Sequence, residues 1–187
     1  MAIKRSIFAF ILIFIICVAC VNVSQGIEVN PTKEQINEAI SYGEAHSGDI
    51  FKAEYIVPAT FGNWPEFGGG LIKSKLVNLA VVSSMKLRGK KKLTSEEAEE
   101  ITKSKNLTIS YRSSSDVHKI KLIQGSKVIE PVEMTKPDLS DKDPTKHVMF
   151  ITASFPYSEL DPNAKTTIVV EKDFGAIRYE VNFSRIK

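Results

Sequence analysis

The sequence predicts an α+β protein in which short N-terminal helices pack on a C-terminal antiparallel, immunoglobulin-like β-sandwich. Apolar residues recur at helical spacing as far as residue 105, and from Asn106 onward they alternate with polar residues at a period of two. Turn-rich stretches such as PDLSDKDPTK and ELDPNAK separate the alternating runs, as in sandwiches. The predicted organisation is a leader at 1–26, a helical part at 27–105 and a β-sandwich at 106–187.

The leader has the order of a secretory signal peptide. Lys4 and Arg5 precede an apolar run at 7–21, and small polar residues follow it. The run is shorter than the roughly 20 apolar residues that a bilayer-spanning helix needs. The leader therefore predicts export of the chain.

The stretch CVAC at 17–20 has C-x-x-C spacing but lies inside this apolar run. A redox C-x-x-C belongs instead to a folded domain, near a βαβ pattern. Ala19-Cys20, preceded by aliphatic residues, resembles the lipobox of bacterial lipoprotein precursors, with Cys17 at a position where that family generally has Leu. The resemblance implies acylation of Cys20 and anchoring in a membrane of the cell envelope. The alternative is cleavage after Gly26, which would yield a soluble periplasmic or secreted protein.

Composition limits the partners and the sources of stability. Both cysteines lie in the leader, so the mature domain has no intramolecular disulfide and depends on a packed core. Of the 25 basic residues, Lys4 and Arg5 belong to the leader. The mature chain therefore has the other basic residues and all 22 acidic residues. The mature chain is therefore nearly neutral, and we expect no nucleic-acid partner.

Two capping boxes predict helix starts in the N-terminal part. Thr32-Lys-Glu-Gln35 opens an amphipathic helix to about His46, and Thr94-Ser-Glu-Glu97 opens a short one. Between them, residues 73–88 are apolar around most of a helix circumference, which predicts a largely buried helix.

The connecting segments are predicted from their glycines and prolines. Residues 51–59 (FKAEYIVPA) should be extended and end at Pro58. The glycines at 68–70 should form a flexible turn into the buried helix.

Period-two alternation predicts six strands in the C-terminal part, at 107–111, 117–123, 127–133, 148–155, 166–172 and 176–186. The sequence Asp173-Phe-Gly175 should join the last two as a hairpin. The core of the sandwich should include Ile109, Ile151, Ile168, Tyr179 and Val181.

No pattern of catalytic, metal or cofactor chemistry stands out, so none is expected. The histidines fit neither H-E-x-x-H nor a triad with G-x-S-x-G, and most simply cap a helix or begin strands: His46, His118 and His147. The acidic cluster Asp138, Asp141 and Asp143 lacks the glycine and terminal glutamate of an EF-hand, which indicates a solvated loop.

The loop FGNWPEFGGG at 61–70 holds the only tryptophan and the candidate binding residues Phe61, Trp64 and Phe67. Aromatic side chains in such a loop either form a recognition surface or fold back as a lid on the core. The lid is the favoured interpretation. The sequence therefore predicts a non-enzymatic module that binds or braces another envelope protein. A second hypothesis is an envelope hydrolase with a site between the helical part and the sandwich.

Overall fold

The structure is a computed structural model that describes residues 26–136 and 149–187. Within these ranges it is an α+β fold with three α-helices and two antiparallel sheets. Residues 1–25 with Cys20, the three loop aspartates and His147 lie outside the described residues. None of the described helices is long and apolar enough to cross a membrane.

The helices are α1 (Lys33–Ala45), α2 (Lys75–Arg88) and α3 (Ser95–Lys103). Both predicted capping boxes are confirmed: the Thr32 and Thr94 hydroxyls accept from the N–H groups of Gln35 and Glu97, whose side chains accept from the cap N–H groups. The predicted burial of the second helix is also confirmed at Leu76, Val77, Leu79, Ala80 and Val81.

The strands are β1 (Thr60–Gly62), β2 (Gly69–Lys73), β3 (Asn106–Ser113), β4 (Lys119–Gln124), β5 (Lys127–Ile129), β6 (Glu133–Thr135), β7 (Met149–Pro156), β8 (Lys165–Lys172) and β9 (Gly175–Asn182). The first sheet has the order β1-β2-β3-β7-β6, and the second has the order β5-β4-β8-β9. Lys172 pairs with Gly175, which confirms the predicted hairpin.

Three local predictions were wrong. Residues 27–105 are not only helical, because β1 and β2 join the first sheet and the glycines at 69–70 pair with β3. Residues 51–59 form two short 3₁₀ helices, Ile50–Lys52 and Val57–Ala59, instead of a strand. The predicted strand 127–133 is divided between the two sheets at Pro131, whose nitrogen carries no hydrogen for a ladder bond.

A single main cluster of buried side chains draws on both sheets and on α2. Ile109, Ile151 and Ile168 are fully buried and Val181 is buried, as predicted. Tyr179 is only partly buried, because it lies at the cluster's edge, where its hydroxyl donates to the carbonyl of Gly68. A smaller cluster joins the three helices through Ala39, Leu76, Leu79 and Ala98.

Strand register gives the sheets two distinct ends. At one end, here called the loop end, the β1–β2 connection meets the start of β7, because Gly69 pairs with Arg112 and Ser113 with Met149. The β8–β9 turn lies at the same end, since Lys172 Nζ is 5.5 Å from the ring centroid of Tyr111. The opposite end, here called the entry end, contains the first residue of β3 and the last of β7. Gly26 lies there, since its N–H donates to Asn163 Oδ1 at 2.9 Å.

Candidate recognition site at the loop end

The β1–β2 connection is held in one shape by hydrogen bonds to both sheets. The N–H of Gly68 donates to the carbonyl of Arg112 at 2.9 Å in the first sheet, and Tyr179 Oη from the second sheet donates to the carbonyl of Gly68 at 2.8 Å. Gly68 has a φ of 77°, a conformation that favours glycine. The loop is therefore ordered before any partner arrives.

The three aromatic residues singled out in this loop occupy different environments. Phe61 is buried, with its ring centroid 5.0 Å from that of Tyr179. Trp64 is partly buried against the main cluster, edge-on to Phe51 at 5.4 Å. Phe67 is 40% exposed. Of the three, Phe67 presents the most apolar surface to a partner, while Phe61 and Trp64 support the loop from below.

Arg112 extends the surface beyond the loop. Its guanidinium carbon lies 4.9 Å from the ring centroid of Phe67 and 5.6 Å from that of Phe150, distances typical of cation–π contacts. Arg112 Nη1 donates to the carbonyl of Pro65 at 2.7 Å, which fixes the guanidinium between the rings. We call Phe67, Arg112 and Phe150 the aromatic–arginine cluster.

The cluster exposes two aromatic rings and carries one positive charge. Phe150 is 52% exposed. No acidic side chain forms an ion pair with Arg112 among residues 26–136 and 149–187. Its Nε is buried without a hydrogen-bond partner in the same ranges. The surface thus combines two apolar rings with a cation that forms no ion pair among the described residues.

Sequence reasoning missed Arg112 and Phe150. One signal was available, because Ile151, Ala153 and Phe155 set the inward phase of β7 and Phe150 falls on the outward phase. A large aromatic residue at an outward position is the kind of exposed apolar group that often marks an interaction site. Its position beside Arg112 is fixed by pairing between β3 and β7, which no local pattern encodes.

A third exposed phenylalanine, Phe174, lies at the same end of the molecule, at the tip of the β8–β9 turn. The neighbouring Asp173 contacts His118, with 2.5 Å between Oδ1 and Nε2, and both side chains are about half exposed. Within the described ranges, no hydroxyl hydrogen-bonds to the other ring nitrogen of His118.

The remaining described histidine has a structural position. His46 caps the end of α1, where its Nδ1 lies 2.9 Å from the carbonyl oxygen of Tyr42 and its ring stacks on the Tyr42 ring. Within residues 26–136 and 149–187, no group of three or more His, Cys, Asp or Glu side chains is placed to hold a metal ion.

Comparison of the chain with protein-family models, curated proteins and solved structures gives no match. The aromatic–arginine cluster suits binding, since aromatic and arginine side chains dominate the energetics of protein interfaces.

Proposed function

We propose that the chain is an exported, lipid-anchored protein of the cell envelope that acts as a non-enzymatic binding module. The leader at 1–26 and the lipobox-like Cys20 support export and anchoring. In this proposal, the two sheets form a sandwich of immunoglobulin-like architecture, a rigid frame that presents loops at its end. The observation that carries the binding role is the exposed cluster of Phe67, Arg112 and Phe150.

The positions of the anchor and the cluster are consistent with this role. Residues 21–25 separate Cys20 from Gly26 and span at most about 20 Å when extended. Gly26 lies at the entry end, and the eight residues of β3 span about 25 Å between the two ends. An acylated Cys20 would therefore hold the entry end near the membrane and direct the cluster away from it.

The chemistry of the cluster defines the kind of partner. The two phenylalanine rings fit an apolar patch, and Arg112 fits a carboxylate at its centre, because planar guanidinium groups bind carboxylates through two parallel hydrogen bonds. We propose that the partner is another envelope protein with an acidic side chain inside an apolar surface.

Site-specific photo-crosslinking in intact cells tests the binding role. A photoreactive phenylalanine analogue at Phe150 or Phe67 should give an adduct of discrete mass with one envelope protein. The same analogue at Met85, which is more exposed than either phenylalanine and lies on α2, should give none. Arg112→Ala should weaken the Phe150 adduct, since loss of a central anchor costs about 2 kcal/mol or more. Equal labelling from Met85 and Phe150 would contradict the proposal.

Palmitate labelling tests the anchor separately. The wild-type chain should incorporate label and fractionate with membranes, whereas Cys20→Ala should do neither. Absence of label from both chains would favour cleavage after Gly26 and a soluble exported protein.

A further inference from the structure

A cleft of about 690 Å³ lies at the entry end, away from the aromatic–arginine cluster. It is formed where the N-terminal segment, the start of α2 and the ends of β3 and β7 meet. Its lining includes three lysines and a tyrosine: Lys75, Lys103, Lys105 and Tyr157.

The side chain of Lys75 is largely buried beside the cleft. It is only 8% exposed, and it forms no ion pair or side-chain hydrogen bond within the described ranges. Its ammonium nitrogen lies 5.6 Å from the centroid of the Tyr157 ring. Burial lowers the pKa of Lys75, and the carboxylate of Glu28 partly offsets that shift. The ammonium borders the cleft, so an anion in the cleft can pair with it.

Tyr157 adds a second unsatisfied group. Its side chain is 8% exposed, and its hydroxyl is buried without a hydrogen-bond partner of acceptable geometry in the described ranges. Burial raises the pKa of this hydroxyl, with the nearby backbone N–H of Lys75 acting in the opposite direction. The hydroxyl is therefore neutral at physiological pH and able to donate a hydrogen bond.

The other charges around the cleft favour an anion. Lys105 is exposed and has no ion pair among the described residues, whereas Lys103 pairs with Glu99 at 2.6 Å. The carboxylate of Glu28 accepts from the N–H of Asn30 at 2.9 Å, so part of its bonding capacity is used within its own turn. Lys75, Lys105 and the hydroxyl of Tyr157 thus remain for a ligand.

From this arrangement we propose that the cleft binds a phosphate group, with Lys75 as its central ligand and Lys105 at its rim. The Tyr157 hydroxyl, buried beside the cleft in the free protein, donates to the phosphate once it is bound. A phosphate carries enough charge and enough acceptor oxygens to satisfy an ammonium and a hydroxyl together, and lysine is a common phosphate ligand. The phosphate belongs either to a free phosphate ion or to the headgroup of an anionic phospholipid. The headgroup source rests on the proposed anchor at Cys20, whereas binding of inorganic phosphate does not.

Titration of the purified full-length chain in detergent with inorganic phosphate, at constant ionic strength set with chloride, tests the site. Calorimetry should show saturable binding that Lys75→Met weakens at least tenfold and Tyr157→Phe weakens about threefold. Lys52→Met is the control, because Lys52 is an exposed lysine outside the cleft. The phosphate affinity of this variant should stay within twofold of that of the wild type.

A short-chain phosphatidylglycerol below its micelle concentration distinguishes the two sources. Tighter binding than inorganic phosphate identifies the headgroup as the natural ligand, and weaker binding identifies free phosphate. Far-UV circular dichroism and thermal melting of each variant verify that it folds. No saturable phosphate binding by a folded wild-type chain, equal affinity for acetate, or unchanged affinity in folded Lys75→Met would overturn the proposal. None of these readouts depends on the aromatic–arginine cluster.

Discussion

The two ends of the sheets differ in the side chains that they offer to a partner or ligand. The loop end exposes phenylalanine rings around an arginine, whereas the entry end buries a lysine and a tyrosine hydroxyl inside a cleft. Strand β7 runs between them and shows the origin of the difference. Phe150, near the loop end, is 52% exposed, and Phe155, near the entry end, is fully buried. They are five positions apart, an odd difference, so they project from opposite faces of the sheet.

The largest effect should come from testing this pair directly. Phe155→Ala removes a fully buried ring from the main cluster and should lower the free energy of unfolding by about 3–5 kcal/mol. Phe150→Ala should change it by no more than about 0.5 kcal/mol, as surface substitutions do. Denaturant titrations of both variants would measure the contrast, and similar losses would remove the distinction between the two faces.

Trp64 should give the next largest effect, because it supports the loop end from below. Trp64→Ala should cost about 2–3 kcal/mol, less than a fully buried tryptophan, since the side chain is only partly buried. Native fluorescence from this single indole should be blue-shifted and resist quenchers. Red-shifted, easily quenched emission would place Trp64 on the binding surface with Phe67.

Gly70 tests how tightly the loop end is packed. A Cβ added at Gly70 would lie 2.1 Å from Cζ of Phe61, so Gly70→Ala must displace that ring. We expect a loss of about 1–3 kcal/mol, as for other overpacked positions. The control is Gly48→Ala, where a Cβ would have no neighbour within 4 Å, and thermal melting should separate the two variants clearly.

Thr94 tests the support of the entry end, because α3 leads directly into β3 and its last turn borders the cleft. Thr94→Ala removes the N-cap and should cost about 1 kcal/mol in a denaturant titration. A loss equal to that of Phe155→Ala would contradict this expectation, because α3 would then be as important for stability as the main cluster.

The smallest expected effect is a pH dependence at the same cap. Hydrogen bonds from Lys86 and from the backbone of Thr94 lower the pKa of Glu97 from its ordinary 4.5 to about 2. The folded pKa is below the unfolded one, so the stabilisation is complete above about pH 4.5 and is lost as the pH falls toward 2. Glu97→Gln should flatten the stability profile in this window, measured against Glu96→Gln, whose carboxylate forms no ion pair in the described residues.

The sequence by itself determined the local features of this protein. Both capping boxes, the buried circumference of α2 and the Asp173-Phe174 hairpin were predictable, because each depends on interactions between residues a few positions apart. Alternation at a period of two likewise predicted most strands of the C-terminal part and the buried isoleucines at 109, 151 and 168.

Only the tertiary structure decided how distant segments meet. The glycines at 69–70 were predicted to form a flexible turn, but they lie in a strand because β3 supplies hydrogen-bond partners. The missing side chain of Gly70 lets Phe61 pack closely, and that of Gly69 makes room for the backbone of Trp64. The contacts of Arg112 with Phe67 and Phe150, and of Lys75 with Tyr157, join residues that are far apart in the chain. Such contacts depend on sheet register and packing, for which a single sequence carries no local signal.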